Sequence, residues 1–415
     1  MSNAEEEQWD TAYEIRAISL LALGFGLVGL DRFIILPLFP VIAEDLGLNY
    51  QDLGLIAGVL ALTWGLAAIV TGSLSDRFGC RRVLVVTTIL FSLLVGISGL
   101  ATGLVMFLVI RGLMGFAEGG FLPASIVATF RAAKPSRRGL MVGIQQMSAP
   151  LVGLFLGPII AVGLLRILPG WEWVFATVAI PGFIVAYFMW RIIRDSDDVE
   201  KPVEKPIEKP VEAAPKSSFW SALKYRNVIF CSLAMLGLLS CLHTLSAFMP
   251  NYLTDHIGLS IETMGIVLSA LGAGGVLGMI FIPAMSDYLS RKLVVVISLV
   301  LGILALLALT QISTSAAAIA ACFFVISAGI SGVVAIIMGP IVNTSVPKAI
   351  SATATGIVSG VGEMFGGAFA PAIAGGLALA KGISVIPYIS LIAAVFAIVV
   401  FVFGVREPSR DAQPG

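Results

Sequence analysis

The sequence predicts an all-α polytopic membrane protein with twelve transmembrane helices in two six-helix bundles. Of its 415 residues, 58% are apolar and only 12% are charged, which is about half the charged share of an average soluble protein. The apolar residues also form twelve stretches of about 20 residues or more, the length that crosses the core of a bilayer. A soluble globule could not cover this much apolar surface, and a disordered chain would be far less hydrophobic.

The twelve predicted spans follow one another with short connections, except between the sixth and the seventh. They comprise residues 17–41, 52–74, 83–103, 104–131, 139–165, 172–194, 228–253, 262–286, 292–312, 315–343, 349–380 and 383–405. Several contain Gly and Pro, which membrane helices tolerate where neighbouring groups satisfy the freed backbone.

The one long polar segment, 195–227, contains a repeat of the type Lys-Pro-Val-Glu that starts at Lys201, Lys205 and Lys209. Alternating charge with proline at this period cannot pack a core, so we expect an extended, solvated linker. The expected parts are a tail (1–16), a first bundle (17–194), the linker (195–227), a second bundle (228–405) and a second tail (406–415).

The basic residues predict the orientation. With both termini in the cytoplasm, 21 of the 25 Lys and Arg residues lie on the cytoplasmic side, as the positive-inside rule requires. Arg166 and Lys381 then lie outside, and Arg32 and Arg111 lie within the membrane. We therefore expect a multi-pass protein of the inner (plasma) membrane. The first apolar stretch is too long for a cleavable signal peptide and follows an acidic tail, so no cleavable signal peptide is expected.

The two halves repeat one another. Gly47 in Leu-Gly-Leu and Gly258 in Ile-Gly-Leu are 211 positions apart, and Asp76 and Asp287 have the same spacing. A steady offset indicates duplicated six-helix halves, a parallel repeat known from transporters.

The loop after the second span reads Gly-Ser-Leu-Ser-Asp-Arg-Phe-Gly-Cys-Arg-Arg. It resembles the signature loop of the major facilitator superfamily, and the matching residues are Gly72, Asp76, Arg77, Gly79, Arg81 and Arg82. A weaker copy with Asp287 and Arg291 follows the eighth span. The resemblance implies the major facilitator fold, a substrate site near the midplane between the halves, and alternating access. It also implies a latch in which Asp76 pairs with cationic groups or a helix dipole to hold the cytoplasmic side closed. The alternative is that the arginines only anchor the topology.

Five charged residues fall inside predicted spans and away from their ends: Asp31, Arg32, Arg111, Glu118 and Glu363. A charge at the bilayer centre costs at least about 2.5–3.5 kcal/mol, so each is a candidate functional residue. Arg111 and Glu118 are two helical turns apart, on one face and roughly 10 Å from each other. Asp31 and Arg32 are adjacent and point about 100° apart, so they can serve different partners.

Asp31-Arg32 and a second pattern in the fourth span resemble the anion:cation symporter branch of the superfamily. The residues of that second pattern are Arg111, Gly115, Glu118, Gly119 and Pro123. The resemblance implies that Asp31 and Glu118 are proton sites and that Arg32 binds the anion. Arg111 is a further candidate substrate contact, because arginine stays charged and can bind a carboxylate bidentately. Two alternatives stay open: a fixed Arg111–Glu118 ion pair, and a structural role for Asp31. Glu363 is not part of the pattern, and is either an additional proton site or a structural carboxylate.

Three further polar residues are candidate substrate contacts. Gln145 and Gln146 could bond a hydroxylated substrate, and His243 is the polar centre of the seventh span, where a neutral histidine bonded to the backbone is the competing interpretation. Gly153-Leu-Phe-Leu-Gly157-Pro158 in the fifth span is similar to a run found in drug/proton antiporters, although close helix packing also requires small residues.

The sequence therefore predicts a secondary transporter, with proton-coupled uptake of a small organic anion such as a sugar acid or carboxylate as the leading function. The alternatives are drug/proton efflux, a proton-independent facilitator and a transporter-like receptor without turnover. An ATP-driven pump is not expected because no phosphate-binding loop is present, and an enzyme is not expected because the histidines have no ligand spacing. A channel is not expected because the charges form no pore-lining ring. A nucleic-acid-binding protein is not expected because the chain has no excess of basic residues. We expect no cofactor or metal, the bilayer and protons as partners, and a monomer.

Overall fold

The computed structural model describes residues 10–194, 219–312, 315–347 and 350–406, with the backbone alone at 68–77, 219–220, 287 and 351–352. Within these ranges the chain forms helices and connecting turns, without strands. Twelve helices are long and apolar enough to cross a membrane, as the sequence predicted. They are α1 (Thr11–Leu46), α2 (Tyr50–Phe78), α3 (Cys80–Ser98), α4 (Leu104–Ala132), α5 (Pro135–Ile167), α6 (Trp171–Ile192), α7 (Arg226–His256), α8 (Ile261–Tyr288), α9 (Arg291–Leu309), α10 (Ala316–Ser345), α11 (Thr353–Lys381) and α12 (Ile383–Gly404).

Helix α1 begins six residues before the predicted span because Asp10 caps it. The Asp10 carboxylate accepts a hydrogen bond from the Tyr13 N–H at 2.9 Å and pairs with Arg194 at 2.9 Å. The Tyr13 N–H and the Arg194 guanidinium hold the pKa of Asp10 below its usual value. The cap thereby joins the start of α1 to the end of α6. Most of the predicted linker (195–218) lies outside the described residues, as do residues 1–9 and 407–415 of the two tails.

The duplicated glycines have the same backbone conformation. Gly47 follows α1 with φ +64° and Gly258 follows α7 with φ +79°, a left-handed region that glycine adopts without a Cβ penalty. In the first copy the Leu48 N–H donates to the carbonyl of Ala43 at 3.0 Å, as in a Schellman cap. In the second copy the Leu259 N–H donates to the carbonyl of Leu253 at 2.9 Å, after the π-helical segment that ends α7. The repeat read from the sequence thus corresponds to a shared glycine conformation with a different hydrogen bond at each helix end.

The described residues belong to two compact units. The first is Met1–Leu38 with Thr63–Val203, and the second is Phe39–Leu62 with Glu204–Gly415. In the first unit α1 packs on α4, α5 and α6; in the second α8 packs on α10, and α7 packs on α11 and α12. The end of α1 and the start of α2 therefore belong to the second unit although they lie in the first half of the sequence.

Close helix contacts depend on small residues. A Cβ at Gly29 of α1 would overlap the backbone of Ala149, and one at Gly153 of α5 would overlap the Gly29 carbonyl. Lipid tails are as apolar as the side chains they replace, so helices in a membrane gain stability from such close packing rather than from burial alone.

In the described part of the chain, four helices contain a π-helical segment: Leu151–Leu156 in α5, Tyr252–His256 in α7, Ile337–Ile341 in α10 and Gly362–Phe369 in α11. Each has a proline within it or within two residues of it: Pro150, Pro250, Pro340 and Pro371. Proline lacks the N–H of the regular ladder and clashes with the preceding turn, and a π turn is one way to accommodate it. Such segments occur often at functional sites.

Candidate functional site

Four charged side chains of the first unit come together where α1 packs on α4. Asp31, Arg111 and Glu118 are 2%, 1% and 0% exposed, and Arg32 is half-buried. The charges of Arg32 and Arg111 both act on Glu118, and the charge of Glu118 acts on Asp31. Helix packing thus gathers the residues of two separate sequence motifs into one cluster, which we call the α1–α4 cluster.

Arg111 binds the backbone of α1. Its Nη1 donates to the carbonyl of Asp31 at 3.0 Å and to that of Arg32 at 3.4 Å. These carbonyls are acceptors because regular α-helix is interrupted at Ile34, and the last turn before an interruption has unused carbonyls. Arg111 therefore positions the Asp31-Arg32 pair through the main chain.

Several buried polar atoms of the α1–α4 cluster have no hydrogen-bond partner among the described residues. They are both carboxylate oxygens of Glu118, Oδ1 of Asp31, and Nε and Nη2 of Arg111. The hydrogen-bonded Arg111–Glu118 pair that the sequence left open is therefore not formed, because the Arg111 guanidinium is directed at main-chain carbonyls instead. A buried polar atom without a partner costs about 1–3 kcal/mol, and a charged one costs more.

Two aromatic rings lie close to the Arg32 guanidinium. Its guanidinium carbon lies 5.5 Å from the ring centroids of both Phe33 and Trp64, distances at which cation–π attraction is appreciable. Sequence reasoning missed Trp64. The available signal was a tryptophan inside an apolar span, where its amphipathic ring needs a partner.

The two glutamines expected as substrate contacts lie in different surroundings. Gln145 is fully buried, and its Nε2 donates to Ser125 Oγ on α4 at 3.1 Å, while its Oε1 has no partner among the described residues. Gln146 is half-buried. Ser125 lies two turns after Glu118 on α4, so Gln145 extends the polar face of that helix.

The second unit holds a separate pair. His243 of α7 and Glu363 of α11 face one another, with Nε2 and Oε2 3.8 Å apart. The sequence singled out both residues without predicting that they meet, because they are 120 positions apart.

The family model described as Major Facilitator Superfamily matches residues 21–362 and 242–415, which together span nearly the whole chain. The chain belongs to the Major Facilitator Superfamily. Its fold agrees with that assignment: the structure of a bacterial homologue of the human lysosomal transporter Spinster, in an inward-facing and unoccupied conformation, superimposes with a TM-score of 0.81 at 17% identity. That match covers 96% of this chain and 99% of the other.

Among curated relatives in this superfamily, a hexuronate transporter of Bacillus subtilis is 27% identical over 63% of this chain and 62% of its own length. The protein of Escherichia coli named "Probable L-galactonate transporter" is 25% identical over 74% of this chain and 71% of its own length. Both belong to the anion:cation symporter type of the superfamily, which this chain most resembles. A quinolone resistance transporter of Acinetobacter baumannii is 24% identical over 60% of this chain and 61% of its own length. The match spans less than two thirds of the Bacillus and Acinetobacter proteins.

As a superfamily member with twelve apolar helices in its described residues, the chain is a multi-pass membrane protein. Many large apolar side chains are solvent-exposed in the isolated chain and supply the lipid-facing surface, for example Val105, Ile392 and Phe403. Arginines stack on aromatic rings near helix ends, as Arg81 does on Trp190. Arginine and aromatic side chains are typical of the membrane interface.

The superfamily's signature loop is only partly described. For Gly72, Asp76 and Arg77 the structure gives the backbone of α2 but no side chains, so the expected contacts of Asp76 lie outside the described part. Gly79 has φ +85° at the start of α3. The sequence motif did not predict this left-handed conformation. The two remaining arginines of the motif are Arg81, which lies over the Trp190 ring, and Arg82, which is exposed.

The weaker copy of the loop is attached to α10. Arg291 Nη1 approaches Thr344 Oγ1 at 3.4 Å and the carbonyl of Pro340 at 3.5 Å. The side chain of Asp287 lies outside the described residues. The second loop therefore contacts the end of a helix that carries a π-helical segment.

Sequence reasoning also missed a contact at the start of α1. Glu14 is 1% exposed and accepts from Arg137 Nε at 2.9 Å, from Arg137 Nη2 at 2.7 Å and from the Lys134 N–H at 3.1 Å. Since Glu14 stood in the expected tail, only its place three residues before an apolar stretch could have indicated burial. The contact therefore attaches the short connection between α4 and α5 to the start of α1.

Proposed function

We propose that the protein is a secondary transporter that takes up a small organic anion, such as a sugar acid or another carboxylate, together with protons. The observation that carries the proposal is the α1–α4 cluster, in which Asp31 and Glu118 are buried with unpaired oxygens while Arg32 stays partly exposed. The names of the hexuronate and L-galactonate relatives support the substrate class.

In this proposal Arg32 binds the carboxylate of the substrate. Its planar, permanently charged fork matches a carboxylate in a bidentate manner. Its guanidinium carbon lies 5.5 Å from the ring centroids of both Phe33 and Trp64, so two aromatic rings help to position the cation. Arg111 is too buried to be a primary contact, so we assign it the positioning of the Asp31-Arg32 backbone.

Asp31 and Glu118 are proposed to bind the coupled protons. An ionised carboxylate without donors is unstable in an apolar interior, so uptake of a proton relieves that cost. Proton binding from the outside would accompany anion binding, and proton loss to the inside would accompany release. The protein would lie in the inner (plasma) membrane with both termini in the cytoplasm.

A screen with purified protein tests the substrate class. D-glucuronate and L-galactonate, added at rising concentration, should raise the unfolding temperature, because a ligand that binds only the folded state stabilises it. A quinolone and a hydrophobic quaternary ammonium ion serve as comparison compounds. Uptake into proteoliposomes should then require an imposed pH gradient; equal uptake without a gradient would indicate a facilitator.

Drug/proton efflux is the second candidate. It is favoured by the resemblance to a quinolone resistance transporter and by the Gly153–Pro158 run in α5. Stabilisation by the quinolone or the quaternary ammonium ion, without an effect of either acid, would replace the first proposal with this one.

A further inference from the structure

A partly open cavity of about 480 Å³ lies in the first unit, between the end of α3 and the start of α6. Its walls come from the last turn of α3, the connections that follow α3 and α5, and the first turns of α6. They include Gly96, Gly99, Gly170, Glu172, Trp173 and Ala176. Binding pockets in proteins have volumes of about 300–1,000 Å³, so this cavity can hold a group of several heavy atoms rather than a single ion.

Glycines give the cavity its shape. A Cβ at Gly99 would overlap the backbone carbonyl of Glu172, so this glycine lets the end of α3 approach the first turn of α6. A Cβ at Gly170 would overlap Oε2 of Glu172. The carboxylate therefore has its place because position 170 carries no side chain, and larger residues at either glycine would displace it.

Glu172 supplies the charge of the cavity. It stands in the first turn of α6, where the positive end of the helix dipole stabilises a carboxylate, and it is half-buried. Among the described residues, its carboxylate oxygens accept no hydrogen bond and form no ion pair. A carboxylate with unused acceptor sites beside a cavity favours a cationic ligand that has N–H donors.

The cavity opens beside the lipid-facing surface. Trp173 on its wall is 58% exposed, while Leu100 just after α3 and Ile167 at the end of α5 are 69% and 77% exposed. Large apolar side chains that are exposed in a multi-pass membrane protein contact lipid, and indole rings concentrate at the level of the headgroups. The face of an indole ring also attracts a cation. The cavity therefore lies at the depth of lipid headgroups.

Apolar surface continues from the cavity along both helices, which pack on one another. Leu93 lies one turn from Gly96 on α3, and Ile180 lies one turn from Ala176 on α6, in each case on the same helix face. Leu93 and Ile180 are 48% and 56% exposed. This surface runs from the helix ends toward the bilayer centre, the path that acyl chains take from a headgroup.

We propose that the cavity between α3 and α6 binds the headgroup of a phosphatidylethanolamine lipid. The Glu172 carboxylate accepts hydrogen bonds from the primary ammonium, Trp173 packs against the ethanolamine carbons, and the acyl chains follow the exposed apolar surface of α3 and α6. A phosphatidylglycerol headgroup has no cation to pair with Glu172, and choline has a cation without an N–H donor. The proposal is independent of the solute that the protein transports.

Native mass spectrometry of the purified full chain measures the headgroup preference. The protein is titrated with phosphatidylethanolamine, phosphatidylcholine or phosphatidylglycerol of identical acyl chains. The first phosphatidylethanolamine should bind about tenfold more tightly than the first phosphatidylcholine, the scale of one hydrogen bond to a charged group. Glu172→Gln should remove this preference, and Glu172→Asp should retain part of it. Glu262→Gln is the control, because Glu262 has the matching place in the first turn of α8 and is exposed.

Ala176→Phe tests the location of the lipid. Ala176 is exposed on the cavity wall, so a phenyl ring there narrows the cavity while the Glu172 carboxylate stays. The variant should bind phosphatidylethanolamine no more tightly than phosphatidylcholine. Thermal unfolding in phosphatidylcholine nanodiscs verifies that each variant is folded, and if Glu172→Gln is not, Ala176→Phe decides.

Equal binding of phosphatidylethanolamine and phosphatidylcholine by the unsubstituted protein would overturn the proposal. So would a full preference in folded Glu172→Gln or folded Ala176→Phe, or a loss in Glu262→Gln as large as that in Glu172→Gln. Displacement of the bound lipid by free ethanolamine at a similar concentration would replace the lipid site with a site for a soluble amine.

Discussion

At the scale of single residues, buried charges distinguish this chain from an inert helical bundle. Glu118 is fully buried with two unpaired oxygens, while Arg111, a permanently charged residue, uses only Nη1 in the described structure. Such atoms are retained at a cost of a few kcal/mol each. We attribute that cost to proton binding at the carboxylates and to main-chain positioning by Arg111.

Asp31→Asn and Glu118→Gln should each abolish accumulation of substrate against its gradient, because an amide cannot take up a proton. Counterflow exchange of labelled substrate should survive, since exchange needs no net proton movement. Proteoliposome uptake with and without an imposed pH gradient checks both results. Glu44→Gln, which alters an exposed carboxylate, is the control, and full accumulation by both variants would exclude these carboxylates from coupling.

Arg32→Ala should weaken binding of the anion by about 2–5 kcal/mol, because the substrate carboxylate would then lack its cation. Arg32→Lys keeps the charge but loses the bidentate fork, so we expect an intermediate loss of affinity. Substrate titration of the purified variants at two pH values measures both. Normal affinity in Arg32→Ala would contradict the anion site and favour efflux, and an effect confined to the pH dependence would make Arg32 a neutralising partner of the carboxylates.

At the scale of elements, glycine and proline set how the helices meet. Gly29 and Gly153 bring the backbones of α1 and α5 into contact, and a π-helical segment begins directly after Pro150. In the second unit Gly54 of α2 is placed so that a Cβ would overlap the Pro371 carbonyl of α11. Small residues therefore permit contacts that larger side chains would prevent.

Gly153→Val should destabilise the protein by about 1–3 kcal/mol, because the added atoms would overlap the Gly29 carbonyl in a packed contact. A thermal unfolding curve of the purified variant in detergent measures the loss. Gly163→Val is the matched control, since Gly163 lies on the same helix with open space around its Cβ position. Equal stability of the two variants would show that α1 and α5 can separate without cost.

At the scale of the whole molecule, the duplicated halves carry different chemistry. The first unit contains two acids and two arginines in the α1–α4 cluster, whereas the second contains the His243–Glu363 pair. The loop copies also differ, since the second lacks the complete motif of the first. Duplication therefore preserved the helix architecture while the polar groups diverged.

Asp76→Ala should shift the conformational balance toward the inward-open state, because the proposed latch would lose its carboxylate, and it should change substrate affinity only modestly. Labelling of single cysteines placed near the two ends of the helices measures the balance; the native cysteines are buried and give a low background. Glu44→Ala is the control. An unchanged labelling pattern would leave the loop as a topology signal only.

The sequence by itself determined the features that depend on composition and on short spacings. Span length and hydropathy predicted twelve helices, since a bilayer core requires a minimum apolar length. Motifs within single helices and loops identified the superfamily and placed Asp31, Arg32, Arg111 and Glu118 in its pattern.

Only the tertiary structure decided which of these side chains meet. It placed Arg111 on the carbonyls of Asp31 and Arg32 rather than on Glu118, put Trp64 beside Arg32, and joined His243 to Glu363. Contacts between separate helices depend on their relative rotation and depth, which glycine-to-backbone packing and π-helical turns set. A shift of one residue turns a side chain by about 100°, so periodicity within one helix cannot specify its partner on another.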